Sequence, residues 1–321
     1  MTKIALMSKV DHYLHAATRD NTRRSYQSAI EHFEVTWSGF LPTTADSVAR
    51  YLADYGDSLA FNTLKQRLSA LAQWHIDQGF PDPTKAPVVK KVMKGIKELH
   101  PAEEKRAKPL QLNQLNTVID HIDREITNAT RTNNSQALLR HLRNKALMLI
   151  GFWRGFRSDE LSRLLVDHVT AVPFEGLTLF LPRTKTDRAN QGRSYKTPAL
   201  SRLCPVTAYI EWIERSGITT GPVFRKIDRW GKMGENPLNP SSITLLLRSI
   251  FEEADLKNSG DYSSHSLRRG FATWANDSGW DVKSLMEYVG WKDVKSAMRY
   301  IDSIDQYAKN KIESDLPKLL P

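Results

Sequence analysis

GFWRGFRSDELSRL, residues 151–164, closes one kind of sequence, and LTLFLP, residues 177–182, belongs to another. Upstream of the first stretch, Leu112, Leu115, Ile119 and Ile122, and then Leu138, Leu142, Leu147 and Ile150, recur at the spacing of helices with one apolar face. Downstream, the period shortens to two. Val169 to Val172, Leu177 to Pro182 and the stretch around Ser194 to Thr197 predict a small antiparallel sheet, with TDRANQGR, residues 186–193, as a polar turn containing glycine. Helices resume from about Pro205, with Pro240 set behind Asn239 at a first helical position, and run almost to the end.

The first hundred residues read as consecutive helices. Asp20 and Asn21 can cap a segment that carries Tyr26, Ile30, Phe33 and Trp37 on one face. A helical stretch near 46 to 56 follows, then a long helix with Leu64, Leu68, Leu71 and Trp74 that stops at Gly79 before Pro81 and Pro83. A short basic helix with Lys85, Lys90, Lys91, Lys94 and Lys97 leads into the polar segment HPAEEKRAKP, residues 100–109. The expected fold is therefore mainly α. A helical domain over residues 1–100 and a linker over 101–109 precede a larger helical domain with one small antiparallel sheet over 110–321. No internal repeat interrupts this order.

A chain of 321 residues with 40% hydrophobic residues has enough apolar surface for two cores, which excludes a disordered tail or a single small module. Lys plus Arg outnumber Asp plus Glu by 46 to 36, and this net charge of +10 points to a polyanionic partner. The one cysteine, Cys204, can neither close an internal disulfide nor build a cysteine-rich zinc site; it reads as a small buried hydrophobe in a reducing compartment. With no run of about 18 apolar residues and an early charge in MTKIALMSKV, the chain is expected to be soluble and intracellular, without a membrane partner.

Four sparse features stand in order in the second domain: Arg157 in GFRSDEL, Lys185 in LPRTKTD, HSLRR from His265 to Arg269, and GWKDVKSAMRYI from Gly290 to Ile301. Together they resemble the tyrosine recombinase, or phage integrase, family. NTRRSY, residues 21–26, and the helices around it are similar to that family's core-binding domain. The pattern is Cre-like, since Trp291 follows Gly290 where many relatives carry histidine, and RTKT at Arg183 to Thr186 is similar to a lysine hairpin of that type.

The resemblance implies a role for each residue, and the chemistry explains the residue type. A phosphodiester under attack gathers charge on its two non-bridging oxygens, which a planar guanidinium matches better than an ammonium does. Arg157 and Arg268 are thereby the clamp. Glu160, three residues beyond Arg157, can orient it, although an ordinary helix ion pair fits the same spacing. His265 precedes Arg268 by three residues on the same helical face, and Arg269 is the decoy beside it. Lys185 is the hairpin lysine that protonates the leaving oxygen, with Arg183 and Lys196 as nearby alternatives. Tyr300, nine residues after Trp291, is the nucleophile; its phenol, ordinarily ionising near pH ~10, needs the arginines' field to attack. Trp291 donates its indole N–H without titrating. Arg154 reads as structural, and Tyr288 and Tyr307 as core or interface.

The implied activity is site-specific DNA recombination through a 3′-phosphotyrosyl bond and a Holliday junction, with no cofactor and no metal. The partners would be double-stranded DNA with an inverted-repeat site and three further copies of the chain, a tetramer on two sites that is a monomer or weak oligomer when free. The two domains would form a clamp around DNA in the nucleoid. Lys85, Lys90, Lys91, Lys94, Lys97, Lys105, Arg106 and Lys108 would neutralise backbone phosphates. An apolar stripe of Ile301, Ile304, Ala308 and Ile312 would dock as an exchange tail on the neighbouring copy. A type IB topoisomerase-like enzyme and a catalytically degenerate DNA-binding accessory protein are the alternatives.

Overall fold

The computed structural model describes Lys9, Tyr13, Ala17, Thr18 and residues 20–101, 106–182 and 191–298, with the side chain of Ser296 left aside. Arg183, Lys185, Lys105, Tyr300, Tyr307 and the tail stripe lie outside the described residues. The chain divides into two compact units, Met1–Lys105 and Arg106–Pro321.

In the first unit, α1 (Asp20–Glu31) runs into a wide turn, His32–Thr36, and is followed by α2 (Ala45–Asp54), α3 (Phe61–Asp77) and α4 (Pro87–Leu99). Asp20 and Asn21 lie inside the first turn of α1, and Trp37 lies past the wide turn, where its indole N–H donates to Asp54 at 2.7 Å. The helix pairs α1 with α3 and α2 with α4 close over Phe33, Tyr51, Leu52, Leu64, Leu71 and Val89. A polar thread crosses this core: the Tyr51 hydroxyl lies 3.0 Å from His32 Nδ1 and accepts from Arg67 Nη1 at 2.8 Å. Helix α4 buries Val89, Met93 and Ile96 and turns Lys90, Lys91, Lys94 and Lys97 to solvent, which is an amphipathic helix in its simplest form.

The second unit is built round α6 (Ser135–Arg154), which packs against α5 (Leu112–Arg131), α8 (Pro205–Ser216) and α10 (Ser264–Asp277). Every residue from Ala146 to Phe152 is buried, so this helix is apolar on all sides where it crosses the core. Three antiparallel strands, β1 (Val169–Val172), β2 (Gly176–Leu181) and β3 (Arg193–Pro198), pair in sequence order with Leu179 opposite both Val169 and Tyr195. Helix α9 (Pro240–Glu253) begins behind the Asn239 cap, whose side chain accepts from Ser241 N–H. Helices α11 (Val282–Val289) and α12 (Val294–Met298) complete the described fold; the short α7 (Ser158–Ser162) lies just after α6.

Two expectations change. A second sheet, β4 (Arg225–Ile227) paired with β5 (Met233–Pro237), interrupts the helical run after Pro205. It is held from outside: the carbonyls of Asp228 and Arg225 accept from Arg140 and Arg143 of α6 at 2.7 and 3.2 Å. Cys204 is half-buried at the start of α8, where its sulfur accepts from the N–H groups of Leu200 and Thr207; it caps the helix instead of filling a core. No described helix is long and apolar enough to cross a membrane.

Candidate active site

Helix α6 ends because Gly155 takes a left-handed conformation, φ +56°, which glycine adopts without strain. A side chain would be crowded there, since a Cβ would stand 3.3 Å from Val289 and 3.6 Å from Arg268. The chain then straightens through Arg157 and turns into α7, where Glu160 reaches back: one carboxylate oxygen accepts from the Arg157 backbone N–H and the other from its Nη1, both at 2.8 Å. Arg157 stays half-buried, whereas Glu160 is 3% exposed.

The second guanidinium comes from α10. Arg268 is 1% exposed; its Nη1 donates to the Gly155 carbonyl at 2.5 Å and lies 3.8 Å from Glu160. One buried carboxylate therefore faces both arginines, and the left-handed glycine two residues before Arg157 offers its carbonyl to Arg268. The ring of Trp291, 5% exposed, lies 5.0 Å from the Arg268 guanidinium. Arg269 is buried too, at 7%, so burial alone does not separate the pair; contact with Gly155, Glu160 and Trp291 does. His265 sits exposed in the first turn of α10, whose N-terminus is capped by the Ser263 hydroxyl.

Helix α10 is also anchored from the start of the second unit. Lys108 N–H donates to the Asp261 carbonyl and Leu110 N–H to the Ser266 carbonyl, each at 3.0 Å. Gly270 makes this possible, since a Cβ there would stand 2.0 Å from the Leu110 carbonyl oxygen. Arg106 and Lys108 are exposed in this segment, with the Lys108 ammonium 5.7 Å from the Tyr262 ring. In the first unit Lys85 is 3.6 Å from Asp82.

The structure thus brings together Arg157, Glu160, Arg268 and Trp291, and adds two groups absent from the expected site. Tyr195 of β3 is 5% exposed, and burial beside Glu160 raises its hydroxyl above the ordinary range against the pull of Arg193, Arg154 and Arg268. Arg193, two residues earlier on the same face of β3, donates to the Glu287 carbonyl at 2.6 Å. The period of two that revealed the strand also put these residues on its inner face, and Lys196 on the outer one, where its side chain is exposed. Among the described residues, no three His, Cys, Asp or Glu side chains are grouped to hold a metal ion.

Residues 110–306 match the model of the phage integrase family. The chain belongs to that family, the tyrosine recombinases. It is an enzyme of DNA strand cleavage and rejoining, as that membership entails. Among curated relatives, an integrase/recombinase xerD homolog of Selenomonas ruminantium is 27% identical over 315 residues, covering 95% of this chain and 88% of the relative. The recombinase cre of Escherichia phage P1 is 26% identical, over 83% of this chain and 78% of its own. Two solved structures share the fold: the XerH site-specific recombinase bound to difH substrate, with TM-score 0.57 and 17% identity over 92% of this chain and 78% of that one, and the Tn1549 transposon integrase in complex with a circular intermediate DNA, with TM-score 0.61 and 12% identity over 95% and 96%.

Proposed function

We propose that this tyrosine recombinase cuts DNA at a specific inverted-repeat site through a covalent bond between Tyr300 and the 3′ phosphate, and exchanges strands by way of a Holliday junction. The observation that carries the reading is the pair of arginines, Arg157 and Arg268, held on the single buried carboxylate of Glu160. Glu160 fixes both guanidiniums before any substrate arrives, so little reorganisation is left for the transition state. Four arginines, at 154, 157, 193 and 268, surround the Gly155 and Trp291 corner, and the excess positive charge suits a phosphodiester gaining negative charge.

The Tyr300 phenol oxygen attacks phosphorus as its proton passes to water, and the bond to the 5′ oxygen breaks. Lys185 gives that oxygen a proton, so the strand ends as a free 5′-hydroxyl. His265, exposed beside the buried Arg268 on one helix, contacts the same phosphate, and the Trp291 indole N–H donates to it without titrating. Because the phosphotyrosyl bond keeps the phosphodiester energy, a 5′-hydroxyl from a partner strand reverses the step without a cofactor. Residues 110–321 form the catalytic domain and residues 1–100 the core-binding domain of a clamp, with the exposed lysines of α4 on backbone phosphates. Four copies on two sites carry out the exchange in the nucleoid.

A nicked duplex cut from inverted-repeat DNA flanking the gene tests this. The wild-type chain is expected to form a protein–DNA adduct that survives denaturing electrophoresis, and Tyr300→Phe to bind the duplex equally while forming none. Adduct persisting in that variant overturns the choice of nucleophile.

A further inference from the structure

Helix α11 ends two residues before Trp291, and its last carbonyls are not left to water. Arg193 donates to the carbonyl of Glu287 at 2.6 Å, and Arg154 Nη2 donates to the carbonyl of Tyr288. Cations at a helix C-terminus satisfy orphan carbonyls and oppose the negative end of the helix dipole. Arg154 does more than cap. Its Nη1 donates to the Lys196 carbonyl of β3 at 2.8 Å, and its guanidinium lies 3.8 Å from the ring of Tyr288 and 5.1 Å from that of Tyr195. Tyr288 is in turn stacked on Phe271 of α10, ring centroids 5.2 Å apart.

This arginine is 2% exposed, and among the described residues it makes no ion pair. Burial lowers its pKa, the expected sign of a charge taken out of water. A methionine or leucine would fill the same space without that cost, so a role in packing alone does not explain the charge. What the guanidinium supplies, and an apolar chain does not, is a rigid planar fork joining two backbone carbonyls from different elements.

We propose that Arg154 is a positioning residue of the recombination reaction: by bridging the carbonyls of Lys196 and Tyr288 it fixes the Gly290 and Trp291 corner against Arg268. The corner has little slack of its own. Gly290 is left-handed, φ +83°, and a Cβ there would lie 3.2 Å from the Tyr195 hydroxyl and 3.3 Å from Arg193. Without the bridge, the end of α11 is free to shift on β3, and the Trp291 ring shifts with it over the Arg268 guanidinium.

The inference rests on the proposed function, and a double-mutant cycle on the nicked duplex tests it. Arg154→Met is expected to lower the single-turnover rate of adduct formation at saturating protein by about 30-fold, with duplex affinity within about threefold, as misplacement of a reacting group does. In a Trp291→Phe background, which keeps the ring and loses the indole N–H, the same substitution should cost less than about threefold, because coupled residues are not additive. Arg154→Lys keeps the charge but cannot span both carbonyls, and is expected to fall nearly as far as Arg154→Met. Should Arg154→Met not melt cooperatively, the cycle is run with Arg154→Lys. Additive losses, a wild-type rate in Arg154→Lys, or a loss that disappears at saturating protein each overturn the assignment of Arg154 alone. A wild-type protein that forms no adduct overturns the proposed activity and this role with it.

Discussion

The two units use positive charge in opposite ways. On α4, Lys90, Lys91, Lys94 and Lys97 stand in solvent above a buried stripe of Val89, Met93 and Ile96. In the second unit, Arg154 and Arg268 are at most 2% exposed and hydrogen-bonded to named carbonyls. An exposed ammonium attracts a polyanion wherever it lies and is screened by salt. A buried guanidinium is held to one place by the carbonyls it donates to. Count and sign of charge are common to both; desolvation and fixed geometry set them apart.

The largest expected effect strikes the buried set. Arg157→Ala and Arg268→Ala should each slow adduct formation by about a hundredfold or more, near 3 kcal/mol of transition-state stabilisation. Their binding should keep its dependence on salt. A folded Arg268→Ala protein that cleaves within about tenfold of wild type would place it with the lysines, as a source of attraction only.

Glu160→Gln sharpens the contrast from the other side. A neutral amide of the same shape leaves the two guanidiniums without their shared counter-charge, and loss of one partner of such a pair is typically worth about 3 kcal/mol of stability. The thermal midpoint should fall, and it should recover in part when the nicked duplex supplies phosphate in the carboxylate's place. An equal shift with and without DNA would mean that Glu160 serves the fold and not the phosphate pocket.

The smallest effect on chemistry belongs to α4. Replacing Lys90, Lys91, Lys94 and Lys97 together by alanine should leave the adduct rate at saturating protein within about threefold. The slope of log binding constant against log salt should become shallower by about 3 to 4, the release expected of four phosphate contacts. A collapse of the saturated rate with an unchanged slope would reverse the roles of the two units.

How far these roles were legible follows from where each signal resides. Strands β1 to β3 and the cap at Asn239 were plain because period and capping are local properties of a few residues. The β4 and β5 pair was missed. MGENP, residues 233–237, does not alternate, and its partner strand is fixed by arginines some eighty residues earlier in sequence. Burial holds one of them, Arg143, down to about 10, itself a sign of how far it is enclosed. The same division runs through the site. Arg157, Glu160, Arg268 and Trp291 were named from motifs, and the structure gathers them. Tyr195, Arg193 and the double carbonyl bridge of Arg154 depend on which strand face meets which helix end, and no spacing in the sequence states that.

Gly270 carries one last consequence. Because it lets the Leu110 carbonyl lie against α10, and Lys108 and Leu110 donate to the Asp261 and Ser266 carbonyls, the chain entering the second unit is moored to the helix of Arg268 within its first five residues. A displacement of residues 108–110 therefore bears directly on that helix and the turn before it, through two backbone hydrogen bonds. A methyl group at position 270 would act as a wedge beneath the mooring, prising residues 108–110 away from the helix that carries Arg268.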